Sequence, residues 1–288
     1  MALQRYRDVN KDTVIQVYRI VFHPLNDIVV PVFSSRLSFT LFTGFLEGSW
    51  VKRLEELHSS KTPLKPYRFS PVFAGNRALF KNRREKVLVL HGGRRYWFKV
   101  TLIGLEPELR LTDKLEVFNG EIIVDEIEVS RKSFMELAGS ERINEFKIYF
   151  RSPTLLSPKL CLPPRVRVYT AYNVYRLYPQ PCLWVRSLVL YWNKYAPREL
   201  VFRDGYKFSR LADVYLMETS HEVRHVTAYY SKDKELIEHR GFMGWIKYSI
   251  IDKGFSEKLS PLLRLAGLVG IGKSRSMGFG YVEVEYTR

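Results

Sequence analysis

The sequence predicts an α+β fold of two domains, each built around its own sheet, and three observations predict it. The chain has 288 residues, about twice the usual single-domain length of roughly 150, so it can bury two cores. Its hydrophobic pattern switches repeatedly between the strand period and the helix period. The order of the elements then restarts near Ala138-Gly139-Ser140.

In the first half, Val14 to Phe22 has the β-branched and aromatic content of a buried strand, and Pro24-Leu25-Asn26-Asp27 ends it as a turn. Arg36 to Glu47 reads as a helix, apolar at Leu37, Leu41, Phe42, Phe45 and Leu46, with Ser34 or Ser35 as its N-cap. Val51 to His58 forms a second short helix. Strands follow at Tyr67–Phe73, Lys86–Leu90 and Tyr96–Ile103, with Gly92-Gly93 turning the last pair, and at Glu121–Val129.

In the second half, Glu145–Arg151 is a strand, Leu183–Tyr195 a helix, and Asp213–Glu218, Val223–Tyr230 and Phe242–Ile251 are strands. A helix at Phe255–Leu268, capped by Ser256 or a neighbour, leads to the final strand, Tyr281–Tyr286. Strand, helix, two strands, helix, strand, read twice, is the ferredoxin-like (RRM-like, βαββαβ) plan. It divides the chain into domains of residues 1–139 and 140–288. No primary-sequence repeat accompanies it, so the duplication rests on element order alone.

Charge indicates the partner. Lys and Arg number 46 against 30 Asp and Glu, a net +16, while 46% apolar content excludes a disordered basic tail. The charge therefore sits on a folded surface, and an acidic polymer, nucleic acid first, is the expected partner. From Leu57 to Leu105 the only acid is Glu85, and Arg151 to Arg198 has none, whereas Leu111 to Phe150 between them is net acidic. Cys161 and Cys182 are the only cysteines, with no Cys/His cluster, so no disulfide framework, structural zinc or other cofactor is expected. With a charged N-terminus and no apolar run long enough for a span, the reading is a cytoplasmic protein, not membrane-bound, monomer or homodimer. Scarce Gln and Cys beside abundant Lys, Arg and Glu point to a thermophilic source.

The sharpest local feature is Gly267-Leu-Val-Gly270-Ile-Gly272-Lys273-Ser274-Arg275-Ser276-Met277-Gly278-Phe279-Gly280-Tyr281. Gly267 to Ser274 matches the P-loop string G-x-x-x-x-G-K-S/T, but a helical pattern precedes it and only 14 residues follow Ser274, too few for a nucleotide-binding sheet. Met277 to Val284 approaches an RNA-recognition-motif string, departing from it at Met277, Tyr281 and Val284, and the chain ends before the helix and strand such a motif requires. The third pattern is G-h-G-x-x-x-x-x-G-h-G, with h apolar, met by Gly270-Ile271-Gly272 and Gly278-Phe279-Gly280. Glycines let backbone approach an anionic chain, and Lys273 and Arg275 add charge. A tight helix-to-strand connection is the plainer reading. It needs about two glycines, and five in fourteen residues favours RNA binding by Gly270, Gly272, Lys273, Ser274, Arg275, Gly278 and Gly280.

That loop, closing a basic chain of doubled ferredoxin plan, resembles the RAMP superfamily of CRISPR RNA-binding proteins. It looks most like the Cas family conventionally numbered six, endoribonucleases that cut CRISPR repeat transcripts into guide RNAs. Ile148-Tyr149-Phe150-Arg151-Ser152-Pro153-Thr154 is similar to the family's strand ending in Ser/Thr-Pro-Thr, and Leu57-His58 followed by Phe69-Ser70 is similar to its first-domain segment. The resemblance implies metal-independent cleavage of repeat RNA by 2′-hydroxyl attack, giving a 2′,3′-cyclic phosphate, with the product passed to a multi-subunit interference complex. It places a catalytic His after the first helical region and a Lys a few residues beyond, which best match His58 and Lys65, with Lys61 as the alternative.

Histidine suits proton transfer near neutral pH, and Lys suits phosphorane charge. The plainer reading of His58 is a helix-end His interacting with its own helix dipole. Many members carry a Tyr in the first helix; here Phe42 or Thr43 stands there, and neither replaces a phenol. His23, before Pro24, is the second candidate. His91 and His239 read as turn residues, and the His221/His225 pair lacks the helical period of a metal pair. Arg94-Arg95-Tyr96-Trp97-Phe98-Lys99 reads first as an alternating strand and second as a base-stacking stretch. Lys52 is a further candidate phosphate contact, equally consistent with a solvated helix face. The alternative function is a non-catalytic RNA-binding subunit of an interference complex.

Overall fold

The computed structural model describes residues 13–60, 62, 64–83, 87–110, 112–118, 120–162, 166, 174–232 and 235–287. The first half runs β1 (Val14–Pro24), β2 (Ile28–Val30), α1 (Ser35–Gly44), α2 (Gly48–Ser59), β3 (Tyr67–Phe69), β4 (Phe73–Ala74), β5 (Arg77–Ala78), β6 (Leu88–Leu90), β7 (Tyr96–Ile103), β8 (Lys114–Val117), β9 (Gly120–Ser133) and α3 (Phe134–Leu137). β1 reads as an almost continuous apolar run because it is central: it pairs antiparallel with β7 on one side and β9 on the other. β3 and β4 lie beyond β7, and β8 extends the far edge. α1 turns Leu37, Leu41 and Phe42 onto the sheet's Tyr18, Ile20 and Phe98. Each such side chain contributes about 1.5–3 kcal/mol of burial.

The second half runs β10 (Glu145–Thr154), α4 (Pro181–Tyr195), α5 (Gly205–Tyr215), β11 (Leu216–Lys232), β12 (Glu235–Ile250), α6 (Lys253–Val269) and β13 (Val282–Thr287). Its sheet order is β11-β12-β10-β13. In both sheets the first strand is central, flanked by the last strand and by the third of the plan. That is the tandem ferredoxin-like arrangement read from element order. The last strand of the first sheet ends at Ser133 and the first strand of the second begins at Glu145.

Several elements differ from the sequence reading. Among the described residues, the first domain has no helix at the second helical position of the plan. Gly104 takes the left-handed region (φ 60°), Pro107 follows, and the chain returns extended, with Leu109 bridging Leu46. β6 turns at Gly92-Gly93 but pairs with β2 instead of β7. Asp213 to Tyr215 close a helix, α5, that the sequence reading did not contain; Phe208, Ser209 and Ala212 are its buried face, and Val214 and Tyr215 mimicked the start of a strand. α6 is capped by Asp252, whose side chain accepts from the Phe255 amide at 2.6 Å, while Ser256 Oγ instead donates to the Ile143 carbonyl. Among the described residues no helix is long and apolar enough to cross a membrane.

The halves share one core. Ile15, Val17 and Ile103 of the first sheet pack in the same cluster as Phe146, Trp184, Leu263 and Val269 of the second domain. Arg68, on β3, is 3% exposed. It donates to the Leu268 carbonyl at 3.1 Å and lies over the Tyr281 ring at 4.5 Å. Thr101 Oγ1 donates to the same carbonyl at 2.7 Å, so the first domain satisfies orphan backbone at the end of α6.

Candidate active site and RNA interface

His58 stands in the last turn of α2, open to solvent on one side and packed on the other. The Phe39 ring lies 5.7 Å from it, centroid to centroid. Its Nδ1 is 3.1 Å from the Tyr67 hydroxyl. Lys65 Nζ donates to the His58 carbonyl, placing a cation where α2's dipole is negative. The loop carrying Lys65 is held from the second domain. Lys194 Nζ and Tyr195 Oη both donate to the Leu64 carbonyl, the former at 2.6 Å, and Tyr191 Oη donates to the Lys65 carbonyl at 2.6 Å. Leu64 takes a left-handed φ of 55°, a strained conformation for a leucine that this three-sided grip maintains.

Burial, then the neighbouring Lys65 charge, lowers the His58 pKa, so the imidazole is neutral at pH 7. Burial lowers the Lys65 pKa and pushes the Tyr67 phenol up, keeping it protonated.

The glycine-rich loop has positive φ at Gly270, Gly272, Gly278 and Gly280, and close packing explains the residue type. A Cβ on Gly280 would lie 1.8 Å from the Ile271 carbonyl oxygen, and one on Gly278 would lie 2.7 Å from Ser35 Cβ. The loop is therefore folded back on itself and pressed against the start of α1, where Ser35 Oγ donates to the Met277 carbonyl at 2.7 Å. Arg275 does not offer its charge at the surface. It is 6% exposed, donates to the Gly270 and Ser187 carbonyls at 3.1 Å each, and stacks on Tyr191 at 4.3 Å. Burial lowers its pKa to about 10, so it stays charged while holding the loop's shape. Lys273, Ser274, Ser276 and Met277 form the loop's partly exposed crest.

These parts meet in one cleft of about 450 Å³. Arg36 and His58 line it from the first domain, Tyr230 and Ser231 from the β11–β12 hairpin, and Ser276 and Met277 from the loop. His58 and the loop crest, 218 residues apart in sequence at Ser276, are thus brought together. Lys273 and Ser274 do not line this cleft, and Lys52, though exposed on α2, lies roughly a third of a turn around the helix from His58. Lys61 lies outside the described residues. Tyr67, Tyr230 and Arg36 carried no signal in the sequence, since only the tertiary fold sets them beside His58.

A second cleft, of about 800 Å³, opens between the β4–β5 hairpin and the exposed face of the second sheet. Arg77, Arg151 and Arg224 line it with Tyr149, Trp245 and the carboxylate of Glu222, and Arg151 is paired with Glu283 at 2.7 Å. Lys147 sits 3.7 Å over Trp245, and Arg151 4.5 Å over Tyr149. Cations interleaved with aromatic faces suit phosphates and unstacked bases together.

Most of the remaining candidates take structural places. His23 Nδ1 is 2.9 Å from Asp125 Oδ1, and His91 Nδ1 is 3.1 Å from Asp27 Oδ2. His221 and His225 lie exposed on β11, and His225 lines the larger cleft. His239 packs edge-on to Phe279, 5.4 Å between centroids. Trp97 stacks on Phe73 at 4.3 Å, and Tyr96 and Phe98 point into the core, as an alternating strand requires. Among the described residues no three His, Cys, Asp or Glu side chains are grouped as metal ligands.

Two ferredoxin-like domains meeting at clefts lined by arginines and aromatic rings, with a histidine at each, define the class of a nucleic-acid-binding protein with proton-transfer chemistry within reach. The chain belongs to the Cas6 family: the family model "CRISPR-associated endoribonuclease Cas6" matches residues 148–282, and "Cas6 N-terminal domain" matches residues 17–132. It is similar to two Saccharolobus solfataricus proteins, CRISPR-associated endoribonucleases Cas6 2 and Cas6 1. Each is 25% identical over 279 residues, 92% of this chain and 94% of the relative. Among solved structures it resembles a Cas6 product complex, with TM-score 0.67 and 17% identity over 94% of this chain and 100% of that one. A Thermus thermophilus Cas6 gives TM-score 0.63 and 16% identity over 95% of this chain and 99% of that one.

Proposed function

We propose that the protein is a metal-independent endoribonuclease that binds CRISPR repeat RNA and cuts it into guide RNAs, which pass to an interference complex. The observation that carries this reading is the convergence of His58, Arg36, Tyr230 and the crest residues Ser276 and Met277 in one cleft at the domain junction. The neutral imidazole takes the proton of a 2′-hydroxyl, whose oxygen attacks the adjacent phosphorus as the bond to the 5′-oxygen breaks. The products are a 2′,3′-cyclic phosphate and, after protonation of the leaving oxygen, a 5′-hydroxyl. Lys65, with Lys61 as the alternative, and Arg36 supply positive charge toward the phosphorane. The crest residues Lys273, Ser274 and Ser276 and the larger cleft hold the RNA on either side, and Gly270, Gly272, Arg275, Gly278 and Gly280 fix the crest. Lys52 is an outlying phosphate contact.

One observation favours the binding-only alternative. Phe42 is buried and Thr43 Oγ1 is bonded to the Phe39 carbonyl, so neither of these α1 positions presents a phenol to the cleft. Incubation with repeat RNA in EDTA separates the readings. Wild type should cut and His58→Ala should fall about 10²–10⁴-fold, while RNA lacking the 2′-hydroxyl at the scissile position should bind and stay intact. Binding without cleavage by wild type supports the alternative, and loss of cleavage on chelation sinks the metal-free mechanism.

A further inference from the structure

We propose that Tyr67 is a positioning residue of this site: its hydroxyl oxygen accepts from Nδ1–H of His58, so the nitrogen that meets the RNA is Nε2. The inference rests on the reading of His58 as the proton-transfer group and adds which atom does the work and what holds it there.

Tyr67 is the fixed partner of the pair. It is 1% exposed, paired through β3 with Leu102 of β7, and packed against Phe69 at 5.6 Å. His58 stands at a helix end, where the last turn has no further backbone to hold it. A 3.1 Å contact from a sheet-anchored oxygen to Nδ1 gives the ring its orientation.

The polarity of that contact decides the chemistry. A neutral imidazole carries one N–H. If Tyr67 donated to Nδ1, that proton would sit on Nε2 and the outward nitrogen could not act as a base. With Nδ1–H donating to Tyr67, the Nε2 lone pair faces the cleft. When Nε2 takes a proton, the imidazolium keeps the same bond, so the ring need not move between its two charge states. Burial keeps the phenol protonated, so no tyrosinate competes for the proton.

An acceptor on Nδ1 favours the charged ring. Other groups face the same cleft: Arg36 from α1, Glu55 from α2 and Tyr230 from β11, with Lys65 in the loop below. Lys65 acts against the charged ring, and Tyr67 opposes it.

The test combines isotope-edited NMR of the His58 ring with cleavage kinetics, in wild type, Tyr67→Phe and His58→Ala. In wild type the neutral ring should be the Nδ1–H tautomer. Tyr67→Phe should lower the His58 pKa by about half to one unit, carry the acidic limb of the rate profile to lower pH, and cut kcat roughly tenfold with KM unchanged. The thermal unfolding midpoint of Tyr67→Phe, measured in parallel, shows whether the variant keeps its fold. A neutral ring protonated on Nε2, or a folded Tyr67→Phe with wild-type His58 pKa and rate profile, overturns the inference alone. Wild-type cleavage by His58→Ala overturns the parent reading, and the positioning role falls with it.

Discussion

Lys65 and Tyr67 act on the His58 imidazole in opposite senses. The ammonium of Lys65, held by the His58 carbonyl, depresses the ring's pKa, second to burial. Removing it should therefore raise the pKa. Below that pKa the ring is charged and cannot act as a base, so in Lys65→Ala the acidic limb of the rate profile moves to higher pH, the reverse of Tyr67→Phe. Cleavage at the plateau should drop by about 10²-fold as phosphorane charge loses its partner. A Lys65→Ala profile that coincides with wild type would remove Lys65 from the site. His58 stood out as a candidate in the sequence because it precedes an acid-poor stretch and matches the His that the resemblance places after the first helical region. Tyr67 was not: nine positions on, in a strand, it reads as core, and only the meeting of β3 with the end of α2 sets its hydroxyl on the ring.

At the scale of the element, the glycine-rich loop separates two basic residues that are adjacent in pattern. Lys273 is partly exposed, with a pKa lowered by burial and by Lys159, whereas Arg275 is buried and bonded to two carbonyls. Their alanine variants should therefore weaken RNA binding in different ways. Lys273→Ala should reduce the slope of log K against log salt by about 0.7, one phosphate contact on single-stranded RNA. Arg275→Ala should leave that slope unchanged but destabilise the fold by about 2–4 kcal/mol, since two buried carbonyls lose their donor and Tyr191 loses its cover. Denaturant unfolding and salt titration measure both; a reduced slope in Arg275→Ala would place its guanidinium on the RNA. Spacing could mark this loop, because four of its glycines take positive φ, a backbone demand that shows in residue type. It could not say which cation faces outward, since that depends on α4 supplying Ser187 and Tyr191.

Across the whole molecule, the two domains are joined by more than a linker. Ile15, Val17 and Ile103 share a core with Phe146 and Val269, and Arg68 and Thr101 both bond the Leu268 carbonyl. Calorimetry should accordingly show a single cooperative unfolding transition, with calorimetric and van't Hoff enthalpies equal. Two resolved transitions would mean that each half keeps its own core and the junction is only a contact. The sequence by itself determined the α+β class, the doubled order of the central strands, the basic composition and the glycine-rich loop. Each is written in local periodicity, composition or backbone demand, which neighbouring residues express without distant help. The fold decided the rest: that the described residues of the first domain include no second helix of the plan, that β6 pairs with β2, that Arg275 turns inward, that Tyr67 meets His58, and that His58, Tyr230 and Ser276 share one cleft. Those outcomes depend on contacts between segments far apart in the chain, whose cost and gain are settled only when both sheets and the helix between them are in place.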